Sequence, residues 1–364
     1  MQISELAKAG CSVWLDDLSR AKLTGTDAHS LPPRIKNSGV VGVTTNPAIF
    51  KAAISDATEY AADIAALSGK SVEDVITKLT TDDVRQACDL FADIYRSSNG
   101  ADGRVSIEVD PRSAHNTAAT VKEGKSLWQI IDRPNVLIKV PATLAGLPAI
   151  TELIGAGISI NVTLIFSIQR YTQVIEAYIA GIELAAKNGL DLTKIHSVAS
   201  FFISRLDTAI DPILKADAGA LATSLLGKAA IANAHLAYEQ FENEFASNRW
   251  QQLSAQGANA QRPLWASTGV KDPAYDDTRY VLKLVAPNTV NTMPQSTLDA
   301  VIDHGVFKGN TITGQYEQAR VVFKELSNLG ISIDKVTADL ESDGVKKFAD
   351  AWNELLASVK GAMG

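Results

Sequence analysis

Eight short apolar runs recur along the chain, and longer stretches of helical periodicity separate them. The runs are Ser12–Asp16, Val40–Thr45, Arg104–Val109, Asn135–Val140, Gly157–Val162, Ile195–Phe201, Pro263–Thr268 and Asn288–Met293. Helical patterns are clearest over Thr80–Arg96, Ser167–Asn188, Leu221–Trp250 and Pro273–Val285. Strands alternating with helices imply a parallel sheet, and the count of eight favours a closed barrel. The expected fold is α/β, a (β/α)8 barrel of the TIM type with additional helices in the loops and at the C-terminus. The chain has 364 residues, more than the typical barrel of about 250. The surplus falls near 51–100, 205–262 and 314–361. No low-complexity linker divides the chain, so residues 1–364 read as one barrel domain with the helices of about 314–361 packed on it.

Side chains alternate faces along a strand, so residues of like parity share a side. Ser106, Glu108 and Asp110 oppose Val105, Ile107 and Val109. Ser159, Asn161 and Thr163 oppose Ile158, Ile160 and Val162, and Gly42, Thr44 and Asn46 oppose Val41, Val43 and Thr45. Leu137 and Lys139 oppose Val136, Ile138 and Val140. One face is apolar and suits packing beneath helices. The other carries amide or chargeable groups near the C-terminal ends of the strands, where active sites of parallel barrels lie.

Composition narrows the function. The chain is 46% hydrophobic, with a net charge of −7 and no dense Lys/Arg block, which argues against nucleic acid as a partner. No apolar run approaches the roughly 18–20 residues of a membrane span, and no signal-peptide pattern opens the chain. Two cysteines, Cys11 and Cys88, suggest a reducing, cytoplasmic compartment. The five histidines are scattered and no HExxH or CxxC occurs, so no metal site is expected.

Lys139 interrupts the apolar stretch NVLIKVPAT (135–143). Burying an unpaired ammonium is costly, so such a lysine tends toward the neutral amine, a nucleophile for carbonyls. A structural lysine paired with Glu108 or Asp110 is the other reading. Schiff-base chemistry also needs a proton shuttle, for which Glu108 on the neighbouring strand is placed. Carbon–carbon cleavage needs a base for a hydroxyl, and Asp16 at the end of the first strand can serve. Taken alone, Asp16 reads more readily as a helix N-cap or loop carboxylate.

With these residues in view, the chain resembles the transaldolases of the class I, Schiff-base aldolase superfamily. The matching stretches are WLDD (14–17), GVTTNPAIF (42–50), RVSIEVDPR (104–112), NVLIKVPAT (135–143), GISINVTLIFS (157–167), SFFISRLD (200–207), WASTG (265–269) and NTVNTMP (288–294). They run in order through most of the chain and resemble the longer bacterial branch common in actinobacteria. The resemblance implies a cytoplasmic enzyme of the pentose phosphate pathway that uses neither cofactor nor metal. It would move a dihydroxyacetone unit from sedoheptulose 7-phosphate to glyceraldehyde 3-phosphate, giving erythrose 4-phosphate and fructose 6-phosphate.

The same resemblance implies roles position by position. Lys139 matches the Schiff-base lysine. Glu108 matches the carboxylate that works through a water, and Thr163 the residue that helps hold that water. Asp16 matches the acid/base at the C4 hydroxyl. Asn46 and Asn161 match amides that bind sugar hydroxyls. Ser200 and Phe202 match groups beside the Schiff base, and Arg205 and Ser267 match phosphate binders. Many members carry arginine two residues after Ser267, where this chain has Gly269; Lys271 can supply the charge or stand as a solvated loop residue. Two alternatives stay open: an aldolase releasing free dihydroxyacetone from fructose 6-phosphate, and a barrel scaffold without catalysis. The short fructose 6-phosphate aldolases carry glutamine at Glu108 and tyrosine at Phe202, so this chain has the transaldolase choice at both. Sugar phosphates are the expected partners, and monomer and homodimer are both open.

Overall fold

The computed structural model describes residues 2–55, 58–217 and 219–363. Eight parallel strands close into a barrel in sequence order. They are β1 Cys11–Leu15, β2 Gly42–Val43, β3 Arg104–Glu108, β4 Val136–Pro141, β5 Ile160–Ile165, β6 Ser197–Phe202, β7 Arg262–Ala266 and β8 Thr289–Met293. Pairing of β8 with β1, Cys11 opposite Thr289 through Leu15 opposite Met293, closes the ring. Each expected strand is found, and the α/β barrel class holds.

The floor of the barrel is apolar. Trp14, Leu137, Val198, Leu264 and Val290 belong to one buried cluster inside the ring. Burial of such side chains contributes about 2 kcal/mol each. Trp14 dictates the neighbouring residue: a Cβ on Gly42 would stand 2.6 Å from the indole ring, so β2 must carry glycine there. A second cluster fills the space between the strands and the surrounding helices, and includes Val43, Val105, Ile107, Val136, Ile138, Val140, Ile160 and Val162. These are the apolar parities of the sequence pattern, facing outward under the helices.

Several elements depart from expectation. Strand β5 begins and ends three residues later than Gly157–Val162, and its pairing with β6 is irregular between Val162 and Ile165. Leu164 in that stretch adopts a left-handed backbone, with φ 62°. This local twist carries Leu164 and Phe166 into the interior cluster at the barrel mouth. The helical pattern over Leu221–Trp250 is three helices, Ala220–Leu225, Ala229–Phe245 and Asn248–Ser254. Gly227, with φ 65°, separates the first two, and the Ser247 side chain caps the third by accepting the Trp250 N–H. Pro273–Val285 contains only the short helix Arg279–Leu282. Asp272 and Asp276 accept the backbone N–H groups of Ala274 and Thr278, turns that compete with helix.

Elsewhere the helices follow their caps. Ser167 accepts the Arg170 N–H and starts the helix Ile168–Lys187. Ser71 accepts the Asp74 N–H and starts the helix Val72–Leu90, eight residues before the expected Thr80; the short helix Ala92–Ser97 follows it. At the C-terminus come Tyr316–Asn328 and the 30-residue helix Ile333–Ala362. The latter touches the helices Pro47–Ile54, Val72–Leu90 and Ser204–Ala216 and strand β5, so it crosses the C-terminal mouth of the barrel. Its Gly344 lies against Leu164 and Phe166, and its Phe348 joins the interior cluster.

Candidate active site

Strand register sets the centre. Glu108 of β3 lies directly opposite Lys139 of β4, and Lys139 lies opposite Asn161 of β5. Lys139 is 4% exposed. Its Nζ donates to the Thr45 carbonyl at 3.0 Å and lies 3.5 Å from Glu108 Oε2. The Phe348 ring covers it, with Nζ 5.4 Å from the centroid. The reading of Lys139 paired with Asp110 is excluded. Asp110 lies beyond the end of β3, caps the turn Pro111–Ser113 and forms an ion pair with Arg112 at 2.6 Å.

Glu108 is buried, and neither carboxylate oxygen accepts a well-formed hydrogen bond. The Lys139 ammonium sits at the outer limit of hydrogen-bonding distance and acts mainly through charge. Burial pushes the Glu108 carboxyl up to about 7, against the attraction of Lys139 and with a smaller repulsion from Asp16. The Thr163 hydroxyl, on the far side of Lys139, is also buried without a partner.

Lys139 opens into a cleft of about 180 Å³ at the C-terminal ends of the strands. Asp16, Asn46, Thr163, Ser200, Phe202, Arg205, Ser267 and Lys271 line it with Lys139. Glu108 and Asn161 stand behind the wall. Asn161 is fully buried: its Nδ2 donates to Ser106 Oγ at 3.0 Å, and its Oδ1 accepts from Ser200 Oγ at 2.7 Å. Thus Ser200, not Asn161, presents that network to the cleft.

Asp16 follows β1 and is half-buried. Its Oδ1 accepts the Thr44 hydroxyl at 2.6 Å, and Thr44 Oγ1 also lies 2.6 Å from Thr292 Oγ1. Burial holds the Asp16 carboxyl above the usual aspartate range, opposed by Lys139 and by the Thr44 hydrogen bond. Asn46 caps the helix Pro47–Ile54, its Oδ1 accepting the Ile49 N–H at 3.0 Å. That leaves the Nδ2 amide as the end able to donate to a ligand.

The opposite wall is cationic. Arg205 stands in the first turn of the helix Ser204–Ala216, with its guanidinium carbon 5.6 Å from the Phe202 ring centre. Burial lowers its pKa, opposed by Asp343 of the C-terminal helix. A helix N-terminus adds partial positive charge there. Ser267 has a left-handed backbone, φ 55°, and its carbonyl accepts the Ser204 hydroxyl at 2.6 Å. Lys271 is exposed at the cleft edge, and its Nζ lies 3.9 Å from where a Cβ on Gly269 would stand. The ammonium therefore occupies the neighbourhood of the glycine. Among the described residues, no group of three or more His, Cys, Asp or Glu could hold a metal ion.

The sequence matches the family Transaldolase/Fructose-6-phosphate aldolase over residues 13–359. The chain belongs to that family. It is 56% identical over 359 residues to "Transaldolase 1" of Streptomyces coelicolor, covering 98% of this chain and 93% of that one. It is 57% identical over 362 residues to "Transaldolase" of Renibacterium salmoninarum, covering 99% and 96%. It is 54% identical over 363 residues to "Transaldolase" of Mycolicibacterium smegmatis, covering 99% and 97%.

Within this family member, three lining residues had been given no role from sequence. Thr44 and Thr292 orient Asp16, and Phe348 roofs Lys139. Thr44 shares the parity of Asn46, which was the available signal. Phe348 lies in the C-terminal stretch FADAW (348–352), for which the sequence leaves covering the site and forming an oligomer contact both open.

Proposed function

We propose that the chain is a transaldolase working through a Schiff base on Lys139. The observation that carries this reading is the pairing of buried Lys139 with Glu108 at the floor of a cleft whose far wall holds Arg205, Ser267 and Lys271. Lys139 Nζ passes its proton to the Glu108 carboxylate and, as the free amine, attacks C2 of a ketose phosphate. Glu108, through a water shared with Thr163, supplies the proton with which the carbinolamine hydroxyl leaves as water. A carboxyl near 7 is present in both protonation states at neutral pH, which suits a group that must give and take protons. Asp16 takes the C4 hydroxyl proton, the C3–C4 bond breaks, and its electrons pass into the protonated imine to form an enamine. The aldose leaves. The enamine attacks the aldehyde carbon of the acceptor, whose oxygen receives the proton from Asp16, and hydrolysis of the new imine frees Lys139.

Asn46 holds the dihydroxyacetone unit through its Nδ2, and Asn161 does so through Ser200. Phe202 and Phe348 keep water from the enamine. Arg205, Ser267 and Lys271 hold the phosphate, Lys271 as a point charge without arginine's bidentate fork. Donor and acceptor are sugar phosphates, sedoheptulose 7-phosphate and glyceraldehyde 3-phosphate in the forward direction. Two buried, unbridged cysteines support a cytoplasmic setting. No helix among the described residues is long and apolar enough to cross a membrane. The barrel and its C-terminal helices act as one catalytic domain.

Omitting the acceptor tests transfer against simple cleavage. With fructose 6-phosphate alone, turnover should stall after one equivalent of glyceraldehyde 3-phosphate and resume on adding erythrose 4-phosphate. Sustained release of free dihydroxyacetone at the same rate would contradict the transferase reading.

A further inference from the structure

Behind the top of β3 lies a second, much smaller cavity of about 20 Å³, room for about one water. Glu108 bounds it on the barrel side. Glu123, from the helix Thr117–Ile131, and Trp352, from the C-terminal helix, bound it elsewhere, with Thr77 and Thr80 of the helix Val72–Leu90. Both Glu108 carboxylate oxygens and the Trp352 Nε1 are buried without a hydrogen-bond partner. One donor and two acceptors thus lie unsatisfied in residues that share one cavity, and two to four polar partners are what a buried water requires.

Glu123 differs from Glu108 in access. It is half-buried, so it joins the cavity to the outside of the barrel. Its carboxyl is pushed up to about 7 by burial, against a lowering by the Asp110 backbone, as Glu108 is pushed up by burial. Carboxyls matched in this way exchange a proton with little energetic bias. The charged groups facing the pair are Lys139 and Asp16 around Glu108, and Asp110 and Arg112 around Glu123; Glu73 lies 3.9 Å from Arg112.

We propose that Glu123 is a proton-relay residue for Glu108, acting through a water held in this cavity by Trp352 Nε1. The inference rests on the reading of Glu108 as the proton shuttle at Lys139. Glu108 is 7% exposed and absent from the wall of the main cleft, so a sugar bound over Lys139 seals it from solvent on that side. The cavity gives it a rear exit. Protonated Glu108 gives its proton to the water while the water gives one to the Glu123 carboxylate. Two O–H bonds break, two form, and the negative charge moves from Glu123 to Glu108. The reverse transfer loads an ionised Glu108 while the bound sugar seals the cleft, before the dehydration that needs the proton. Glu123 touches no substrate and is a positioning residue.

The test is single-turnover imine formation with fructose 6-phosphate, quenched by borohydride and followed from pH 6 to 9. Glu123→Gln keeps the shape and cannot carry a proton; it should slow imine formation about tenfold, change its pH profile and leave KM unaltered. Trp352→Phe, which removes the N–H together with part of the indole ring system, should slow the same step. Glu123→Ala opens space beside the cavity, and formate should restore its rate while leaving Glu123→Gln unrestored. Wild-type rates in Glu123→Gln at every pH would overturn the relay. So would slowing with an unchanged pH profile and no recovery by formate in a folded Glu123→Ala. If wild type itself forms no adduct on Lys139, the underlying reading of Lys139 and Glu108 fails, and the relay with it.

Discussion

Glu108 and Lys139 stand opposite each other on adjacent parallel strands, with Oε2 3.5 Å from Nζ, and burial leaves the carboxyl titrating near 7. The folded protein therefore holds a proton on Glu108 more tightly than the unfolded chain, whose value is about 4.5. Stability from this group is present below about 4.5 and is lost as pH rises to about 7, because there the native state binds more protons than the unfolded state. A shift of this size corresponds to roughly 3 kcal/mol. In Lys139→Met the attraction that lowers the Glu108 pKa is gone, so the decline in stability should continue above pH 7. Denaturant unfolding across pH 5 to 9 checks this; identical pH slopes for variant and wild type would contradict the pairing.

Asp16 depends on Thr44. The Thr44 hydroxyl donates to Asp16 Oδ1 at 2.6 Å and favours its ionised form. Thr44→Val removes that donor at nearly constant volume. The Asp16 pKa should rise, and the low-pH limb of the cleavage rate should move to higher pH. Loss of buried hydrogen bonds should cost about 1–3 kcal/mol of stability. A pH–rate profile of glyceraldehyde 3-phosphate release reads the first effect and thermal unfolding the second.

How far the sequence disclosed this site follows from what each residue depends on. The positions of Lys139, Glu108 and Thr163 on the polar parity at the strand ends were legible because strand parity is local and barrel strands end at one face, whereas the roles of Thr163 and Asp16 came from the resemblance. The irregular end of β5 was not legible, since the left-handed turn at Leu164 answers to packing at the barrel mouth rather than to any glycine in the sequence. Asn161 was expected at the sugar, yet Ser106 and Ser200 occupy both ends of its amide, an arrangement set by neighbouring strands. Phe348 is brought over Lys139 from 209 residues further along the chain by the path of the last helix, which periodicity alone cannot trace. The break-up of Leu221–Trp250 and Pro273–Val285 came from the left-handed Gly227 and from side chains of Ser and Asp competing for backbone N–H groups.

Lys271 should behave as a phosphate ligand in place of an arginine at Gly269. Its ammonium overlies that glycine at the cleft edge. Lys271→Ala should raise KM for glyceraldehyde 3-phosphate about tenfold while leaving kcat within a few-fold, as expected for loss of uniform binding. With unphosphorylated glyceraldehyde as acceptor the substitution should have little effect. Equal losses with both acceptors would remove Lys271 from phosphate binding and leave Arg205 and Ser267 to account for it.

The imine itself is the most direct thing to measure. The protein is incubated with fructose 6-phosphate, reduced with borohydride and digested, and the mass of the peptide spanning NVLIKVPAT is read. A three-carbon adduct on Lys139 is expected, which requires imine formation, C3–C4 cleavage and retention of the dihydroxyacetone unit in sequence. An unmodified Lys139 in a preparation that turns substrate over would contradict it and leave the lysine as a structural partner of Glu108.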